Sequence, residues 1–372
     1  MAGLDAARPP FRADHIGSLL RPARLRQAFR QRTQGEIDPA RYDDILAEEI
    51  RAVVEMQEAI GLKIVTDGEF RRGSYWGRFI ERVQGLAVKD AVFRFRDDEG
   101  HEAGFTAPYV VGPIRRDQPI AGDEFAFLHG VAKAMPKITL PAPSTLHFWR
   151  GTDYAEAGVY RDRDAFFADL GAVYRAEIAD LAAAGCRYIQ LDEVALAMLC
   201  DWDVRTRIAA QGQDPEALVD LYIEAINAAV ATRPPGVAIG VHLCRGNFKG
   251  RYLAEGGYDS VAEKLFDRAR IDHFLLEFDT PRAGDFAPLR FLPKDKGAVL
   301  GLVSSKTPAL ESLDSLRRRV EAAAKHIDPA RLGLSPQCGF ASTAAGNSLT
   351  EAQERAKLAR VVEAAHTILG EG

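Results

Sequence analysis

Apolar positions along this chain recur with two alternating spacings. From Asp43 to Ile60 they fall at Leu46, Ile50, Val53, Val54 and Ile60, one face of a helix, and Gly61 supplies a stop. From Asp164 to Ala184 they fall at Phe166, Leu170, Val173, Ile178 and Leu181, with Gly185 as the stop. Pro215–Ala231, Ser312–Ile327 and Leu349–Leu369 carry the same pattern. Between such helices lie short, largely apolar runs of the kind that become buried parallel strands. They are Ala13–Gly17, Lys63–Thr66, Lys137–Leu140, Arg187–Leu191, Val237–His242, His273–Glu277, Ala298–Val303 and Arg331–Leu334.

Eight strands alternating with helices predict an α/β fold, a (β/α)8 TIM barrel in which residues 1–372 form a single catalytic domain. An open doubly wound sheet is the rival. It would want a glycine-rich phosphate loop after its first strand, and HIGSLL, residues 15–20, is not one. One connection, residues 70–136, is far longer than the rest. Its alternating runs Ala91–Arg96 and Phe105–Val111 flank the turn residues Asp97–Gly100, which predicts a β-hairpin, and a helix follows over Glu124–Ala134. Insertions of this kind usually build over the catalytic mouth. There this one could act as a lid, as a contact within a homo-oligomer, or as both.

The formal net charge of -5 gives no electrostatic reason to expect nucleic acid or an anionic membrane as a partner. The basic stretch Arg21–Arg32 is interleaved with Leu25, Ala28 and Phe29 and reads as a solvated helix face. The opening MAGLDAARPPFRAD lacks the apolar region of a secretory signal, and no window approaches the ~20 apolar residues of a membrane span. A cytoplasmic protein is expected. Cys186, Cys200, Cys244 and Cys338 are then thiols in a reducing compartment, where metal binding or catalysis is the usual reason for a special cysteine.

In a barrel the reactive residues follow the C-terminal ends of the strands. Here those ends read His15, Gly17 and Ser18; Asp67 and Glu69; Ser144 with His147 and Trp149; Asp192 and Glu193; His242, Cys244, Arg245 and Asn247; Glu277 and Asp279; Ser304 and Lys306; Gln337 and Cys338. Residues i and i+2 of an extended chain point the same way, so His242 and Cys244 present imidazole and thiolate together. Zinc takes both, usually as a tetrahedron, and Glu277 and Cys338 sit at equivalent heights on other strands. Taken alone, His-x-Cys is more often a buried cysteine packed beside a hydrogen-bonded histidine. Cys186 and Cys200 take that structural reading. Asp192 and Glu193 could equally form a helix cap, and Glu69 could pair with Arg71 or Arg72 at the surface.

The segments HIGSLLRP, VTDGEFRR, QLDEVAL, HLCRGNF, LLEFD and LSPQCGFAS, in this order, resemble the cobalamin-independent methionine synthase family, in particular its short single-barrel members. The resemblance runs from about residue 11 to the C-terminus. It implies a barrel with Zn2+ held by His242, Cys244, Glu277 and Cys338. It also implies an amino-acid thiol, homocysteine or a similar small molecule, bound by Ile16, Gly17, Ser18, Glu69 and Asp192. Two positions depart from the long enzymes of the family. Ala195–Met198 offers no acid where they hold a pterin, and Ser304 stands where they place a proton-donating histidine. The methyl donor is therefore open between 5-methyltetrahydrofolate and another compound. His15, His147 and Lys306 are the candidates for a proton donor to the leaving group.

The implied activity is methyl transfer to a zinc-activated thiol, within methionine biosynthesis. A zinc enzyme opening an epoxide with a small sulfonate thiol of the coenzyme M type is the nearest rival. Glu69 and Asp192 argue against it, and Arg71, Arg72 and Arg245 keep it in view. A barrel with a merely structural zinc would be richer in cysteine. A decarboxylase of the uroporphyrinogen type would need no such ligands.

Overall fold

The computed structural model describes residues 9–97 and 99–370, so residues 1–8, 371–372 and Asp98 of the expected turn lie outside the described residues. Seven strands form one curled parallel sheet: β1 (Ile64–Val65), β2 (Met135–Pro141), β3 (Tyr188–Glu193), β4 (Ala238–Leu243), β5 (His273–Glu277), β6 (Gly297–Val303) and β7 (Leu332–Pro336), neighbours in chain order. The architecture is α/β and TIM-barrel-like. Alongside β7 the chain at residues 12–14 runs parallel, Asp14 N to Leu334 O at 2.9 Å and Leu334 N to Arg12 O at 2.7 Å. Thr66, just past β1, donates its hydroxyl to Gly17 O at 2.6 Å, so the same segment also reaches the sheet's other edge.

The eight expected strands are thus seven. Ala13–Gly17 forms only a single bridge, Ala13 to Leu334. Two causes are visible. Gly17 at φ 124° leaves the extended region. Side chains from the sheet also take carbonyls that a neighbouring strand would have used: Gln190 Nε2 bonds Ile16 O at 2.7 Å and Lys137 Nζ bonds His15 O.

Between β1 and β2 the hairpin forms with different arms from those expected. Val83–Asp90, not Ala91–Arg96, pairs antiparallel with Thr106–Arg116, while Phe95–Arg96 pairs with Glu102–Ala103. Gly85 makes the longer pairing possible. It has φ 83°, and a Cβ there would lie 2.5 Å from Gly112 O. The helix Gly122–Val131 closes the excursion.

The predicted helices stand on the outer face at Pro39–Ala59, Arg163–Ala183, Pro215–Val230, Leu313–Ala323 and Glu351–Ala364. The side chains of Asp38, Asp162, Asp214, Ser312 and Thr350 cap their N-termini by accepting backbone N–H groups. Among the described residues no helix is long and apolar enough to cross a membrane.

The period of two along each strand sorts side chains between the two faces of the sheet. Phe274, Leu276, Ala298 and Leu300 belong to the large core shared with the helices, whereas Leu275 and Val299 form a separate cluster with Ile16. Residue 275 is the register partner of His242, and Asp192 is that of the same histidine across the next ladder. The inner face therefore carries Lys137 and Thr139, then Tyr188, Gln190 and Asp192, then His242, then His273, Leu275 and Glu277. This face is polar, which is why the strands read as apolar runs broken at alternate positions.

Candidate functional site

His242 is the penultimate residue of β4, and Cys244, two positions on, follows it on the same face. Cys338 comes from the turn after β7. The three are buried and their ligand atoms lie within 4.8 Å of one another. Cys244 Sγ and Cys338 Sγ are 3.6 Å apart, and both cysteines are free. A disulfide would need ~2.05 Å. Two thiolates at ~2.3 Å from one tetrahedral zinc stand ~3.8 Å apart. His242 Nδ1 lies 3.1 Å from Leu275 O. Since a carbonyl only accepts, Nδ1 carries the hydrogen and Nε2 keeps its lone pair. That Nε2 is buried without a hydrogen-bond partner. A soft N, S, S set with an unused buried acceptor fits a metal such as zinc.

Without a metal the cluster shares its protons. The hydrogen bond from Cys338, together with the charge on His242, holds the Cys244 thiol well below its usual range despite burial. Cys338, donating that bond beside a thiolate in a buried place, is pushed well up. Burial lowers His242, but the Cys244 thiolate outweighs it and the net direction is up.

Glu277 ends β5 next to this group but lies outside it. Its Oε2 accepts from Arg245 N at 2.6 Å and its Oε1 is 3.4 Å from Lys306 Nζ. Burial alone would raise this carboxyl; Lys306 and Arg245 outweigh it and hold it below the usual range. The fourth expected ligand is thus engaged with cations one strand away.

The expected thiol-substrate residues converge beside the cluster. Gly17 leaves no free space for a side chain, since a Cβ there would lie 2.6 Å from Thr139 Cγ2 and 3.3 Å from Glu69 Oε1. Glu69 adopts φ 59°, unusual for a non-glycine residue and typical of a functional site under strain. Asp67 Oδ1 supports it by accepting Glu69 N at 2.8 Å. Glu69 Oε1 accepts from Thr139 Oγ1 at 2.6 Å and lies 3.5 Å from the Arg72 guanidinium, so its pairing is buried and not at the surface. Ser18 touches the Cys338 turn so closely that a Cβ on Gly339 would meet Ser18 Oγ at 1.9 Å. Asp192 is held by Gln190 Nε2 at 2.7 Å, and burial followed by the charge of Glu69 pushes its pKa up to about 7. Glu193 takes the capping role instead, accepting Leu196 N at 2.9 Å and Ser144 Oγ at 2.5 Å.

Ile16, Ser18, Glu69, Asp192, His242, Cys244 and Cys338 all face one cavity of about 600 Å³. Its remaining wall is aromatic, from Tyr75, Trp76, Phe95, Phe105, Trp149 and Phe248. Tyr75, Trp76, Phe95 and Phe105 come from the 70–136 excursion, so part of that segment lines the cavity. Beyond the position of Trp149 after a strand end and the presence of four of the rings in a long insertion, nothing in the local sequence marks them. Gly17, Glu277 and the three proton-donor candidates are not among the lining residues. His15 and His147 are buried elsewhere, and burial lowers each pKa to about 3, so neither is a protonated imidazolium acid at neutral pH. His147 is instead hydrogen-bonded to Tyr222 OH at 2.8 Å. Lys306 keeps its proton: burial lowers it, but Glu277 and Asp279 outweigh that. The three arginines that would suit a sulfonate are occupied elsewhere. Arg72 pairs with Glu124 at 2.7 Å, Arg71 lies over Phe127, and Arg245 bonds Gly256 O.

A family model described as "Cobalamin-independent synthase, Catalytic domain" matches residues 11–367. The chain belongs to this family of methionine-synthase-type methyltransferases. It is 41% identical over 367 residues to the uncharacterized protein YxjH of Bacillus subtilis, covering 96% of this chain and 95% of that one. It is 26% identical to the methionine synthase of Pyrococcus abyssi, covering 87% of this chain and 85% of that one. Among solved structures, a Listeria monocytogenes protein described as a candidate vitamin-B12-independent methionine synthase superposes with a TM-score of 0.76 at 32% identity, covering 97% of this chain and 98% of that one. Of the four expected metal ligands, the structure brings His242, Cys244 and Cys338 into one buried group that could hold a metal ion, without Glu277.

Proposed function

We propose that this protein is a cytoplasmic, zinc-dependent methyltransferase that moves a methyl group to the thiol of homocysteine. The observation that carries the reading is the buried His242, Cys244 and Cys338 group opening into the same cavity as Glu69 and Asp192. His242, Cys244 and Cys338 would hold the zinc, with Glu277 as fourth ligand once it turns from Lys306. The bound zinc would keep the substrate thiol as a thiolate at neutral pH.

The chain's own residues do the rest. Glu69 and Asp192, acceptors when ionised, suit a substrate ammonium group, and backbone N–H groups of the Ile16–Ser18 segment would meet its carboxylate. Thr139 and Gln190 fix those two carboxylates in place before substrate arrives, which lowers the ordering cost of binding. The aromatic roof excludes water from the attacking sulfur. We further propose that residues 1–372 act as one barrel-like domain in which the 70–136 insertion is the roof. The sulfonate-thiol alternative loses support because, among the described residues, no arginine or lysine lines the cavity.

Zinc-edge X-ray absorption with and without homocysteine tests the proposal. Two sulfur neighbours should become three when the thiol is added. An unchanged sulfur count, or a protein that takes up no zinc, would overturn it.

A further inference from the structure

We infer that the methyl donor is a methylsulfonium cation, bound in the aromatic part of the cavity; this rests on the thiol-methyltransferase reading above. Three observations lead to it. First, the charged side chains lining the cavity are Glu69, Asp192 and, at its exposed rim, Glu81; no lysine or arginine lines it among the described residues. With Glu69 and Asp192 taken by the substrate ammonium, a donor carrying several carboxylates would find no lysine or arginine there, so the lining favours a neutral or cationic donor. Second, six aromatic rings face the same space, from Tyr75, Trp76, Phe95, Phe105, Trp149 and Phe248. Phe95 makes edge and tilted contacts with Phe105 and Phe248, at 5.0 and 5.3 Å between ring centres, and Phe105 meets Trp149 edge-on at 5.2 Å. A set of rings at differing tilts is how proteins surround an alkylated cation, which is attracted to ring faces.

Third, none of the three candidate proton donors lines the cavity, as described above. A displacement that leaves an amine nitrogen needs a proton for it. A displacement from sulfonium does not. The electron pair of the homocysteine thiolate forms the new S–CH3 bond, the CH3–S⁺ bond breaks, and its pair returns to the leaving sulfur. Methionine and a neutral thioether result, and no proton moves. An anion and a cation become two neutral molecules, a change that an apolar cavity favours because it solvates neither charge well.

The test uses zinc-loaded enzyme and benzyldimethylsulfonium, with isobutylbenzene as its uncharged carbon isostere. Binding is read from the fluorescence of Trp76 and Trp149. Transfer is read as methionine and benzyl methyl sulfide formed from homocysteine. The sulfonium should bind at least ~10-fold more tightly than the isostere and should donate its methyl group. Phe248→Leu, which keeps the apolar bulk, should weaken the sulfonium several-fold and leave the isostere unchanged. Equal binding of the two probes overturns the inference. So does methionine formed from 5-methyltetrahydrofolate but not from the sulfonium. Zinc-edge absorption in the same samples separates these results from failure of the thiol reading, since a third sulfur neighbour reports homocysteine whatever the donor.

Discussion

Gln190 Nε2 donates a 2.7 Å hydrogen bond to Asp192 Oδ1, two positions further along the same strand. The amide is itself clamped, since Nε2 also bonds Ile16 O at 2.7 Å and Oε1 accepts from Lys137 Nζ at 2.9 Å. Lys137 in turn meets Asp14 at 2.7 Å, and Asp14 accepts from Tyr188 OH at 2.7 Å. The interior of the sheet is thus a connected polar network whose upper end is a carboxylate in the cavity. Gln190 is a positioning residue, fixing both Asp192 and the Ile16–Ser18 backbone.

Gln190→Leu should therefore raise KM for homocysteine by about tenfold, roughly 1.4 kcal/mol, with a smaller change in kcat. Stability should fall by ~1–3 kcal/mol, because Lys137 loses a buried acceptor. Steady-state kinetics with a urea melt check both. An unchanged KM alongside lost stability would make the network purely structural.

Cys244→Ser and Cys338→Ser should each lose zinc and activity together, read by elemental analysis and methionine formation. Glu277 gives a finer comparison. If it becomes the fourth ligand, Glu277→Gln should weaken zinc at least ~10-fold. Lys306→Ala, which releases the carboxylate from its 3.4 Å partner, should leave zinc affinity intact or increase it. Equal zinc affinity in Glu277→Gln and the parent would leave three protein ligands and assign Glu277 to Lys306 alone.

These pairs show what was legible in the sequence. His242 and Cys244 could be placed together because a strand has a fixed period of two, and Cys338 because the family motif carries it. The helices followed from their apolar faces and from stops such as Gly61 and Gly185. The 13–17 segment was misread as a full strand because its apolar residues look like one; what stops it is the φ of Gly17 and two side chains reaching from β2 and β3. The hairpin arm Val83–Asp90 was missed because its only local mark is Gly85. The aromatic wall is legible only in part: Trp149 follows a strand end, but Tyr75, Trp76, Phe95, Phe105 and Phe248 come from segments far apart in the chain, and only folding brings them to one wall.

Gly17 joins the substrate segment to the sheet with no space for a side chain. Gly17→Ala puts a methyl group 2.6 Å from Thr139 Cγ2 at a positive φ. We expect a stability loss of ~1–3 kcal/mol and a clear rise in KM for the thiol, because Thr139 also holds Glu69. Thr139→Ser in the Gly17→Ala background removes the clashing methyl and keeps the hydroxyl, so it should recover part of both losses. No recovery would place the defect in the backbone of Gly17 alone.

Glu354 supports the same segment from the last helix. It is 3% exposed, and one carboxylate oxygen accepts Leu20 N at 2.7 Å. Burial, and secondarily the charge of Glu351, raises its pKa from 4.5 to about 8. A carboxyl with a raised folded-state pKa contributes stability that is full below its unfolded value and is lost as pH rises through the folded one. For Glu354 that window runs from 4.5 to about 8. Over it the neutral form must be kept or a charge buried, at a cost on the order of 3 kcal/mol near neutrality. Glu354→Gln keeps an acceptor for Leu20 N and removes the titration. The variant should melt several degrees above the parent at pH 8, and the gap should close as the pH falls towards 4.5. Because Leu20 lies two residues after Ser18, the variant should also flatten the alkaline rise in KM for homocysteine that loosening of this segment would cause in the parent. A gap in melting temperature that stays constant with pH would show that Glu354 is not the titrating group.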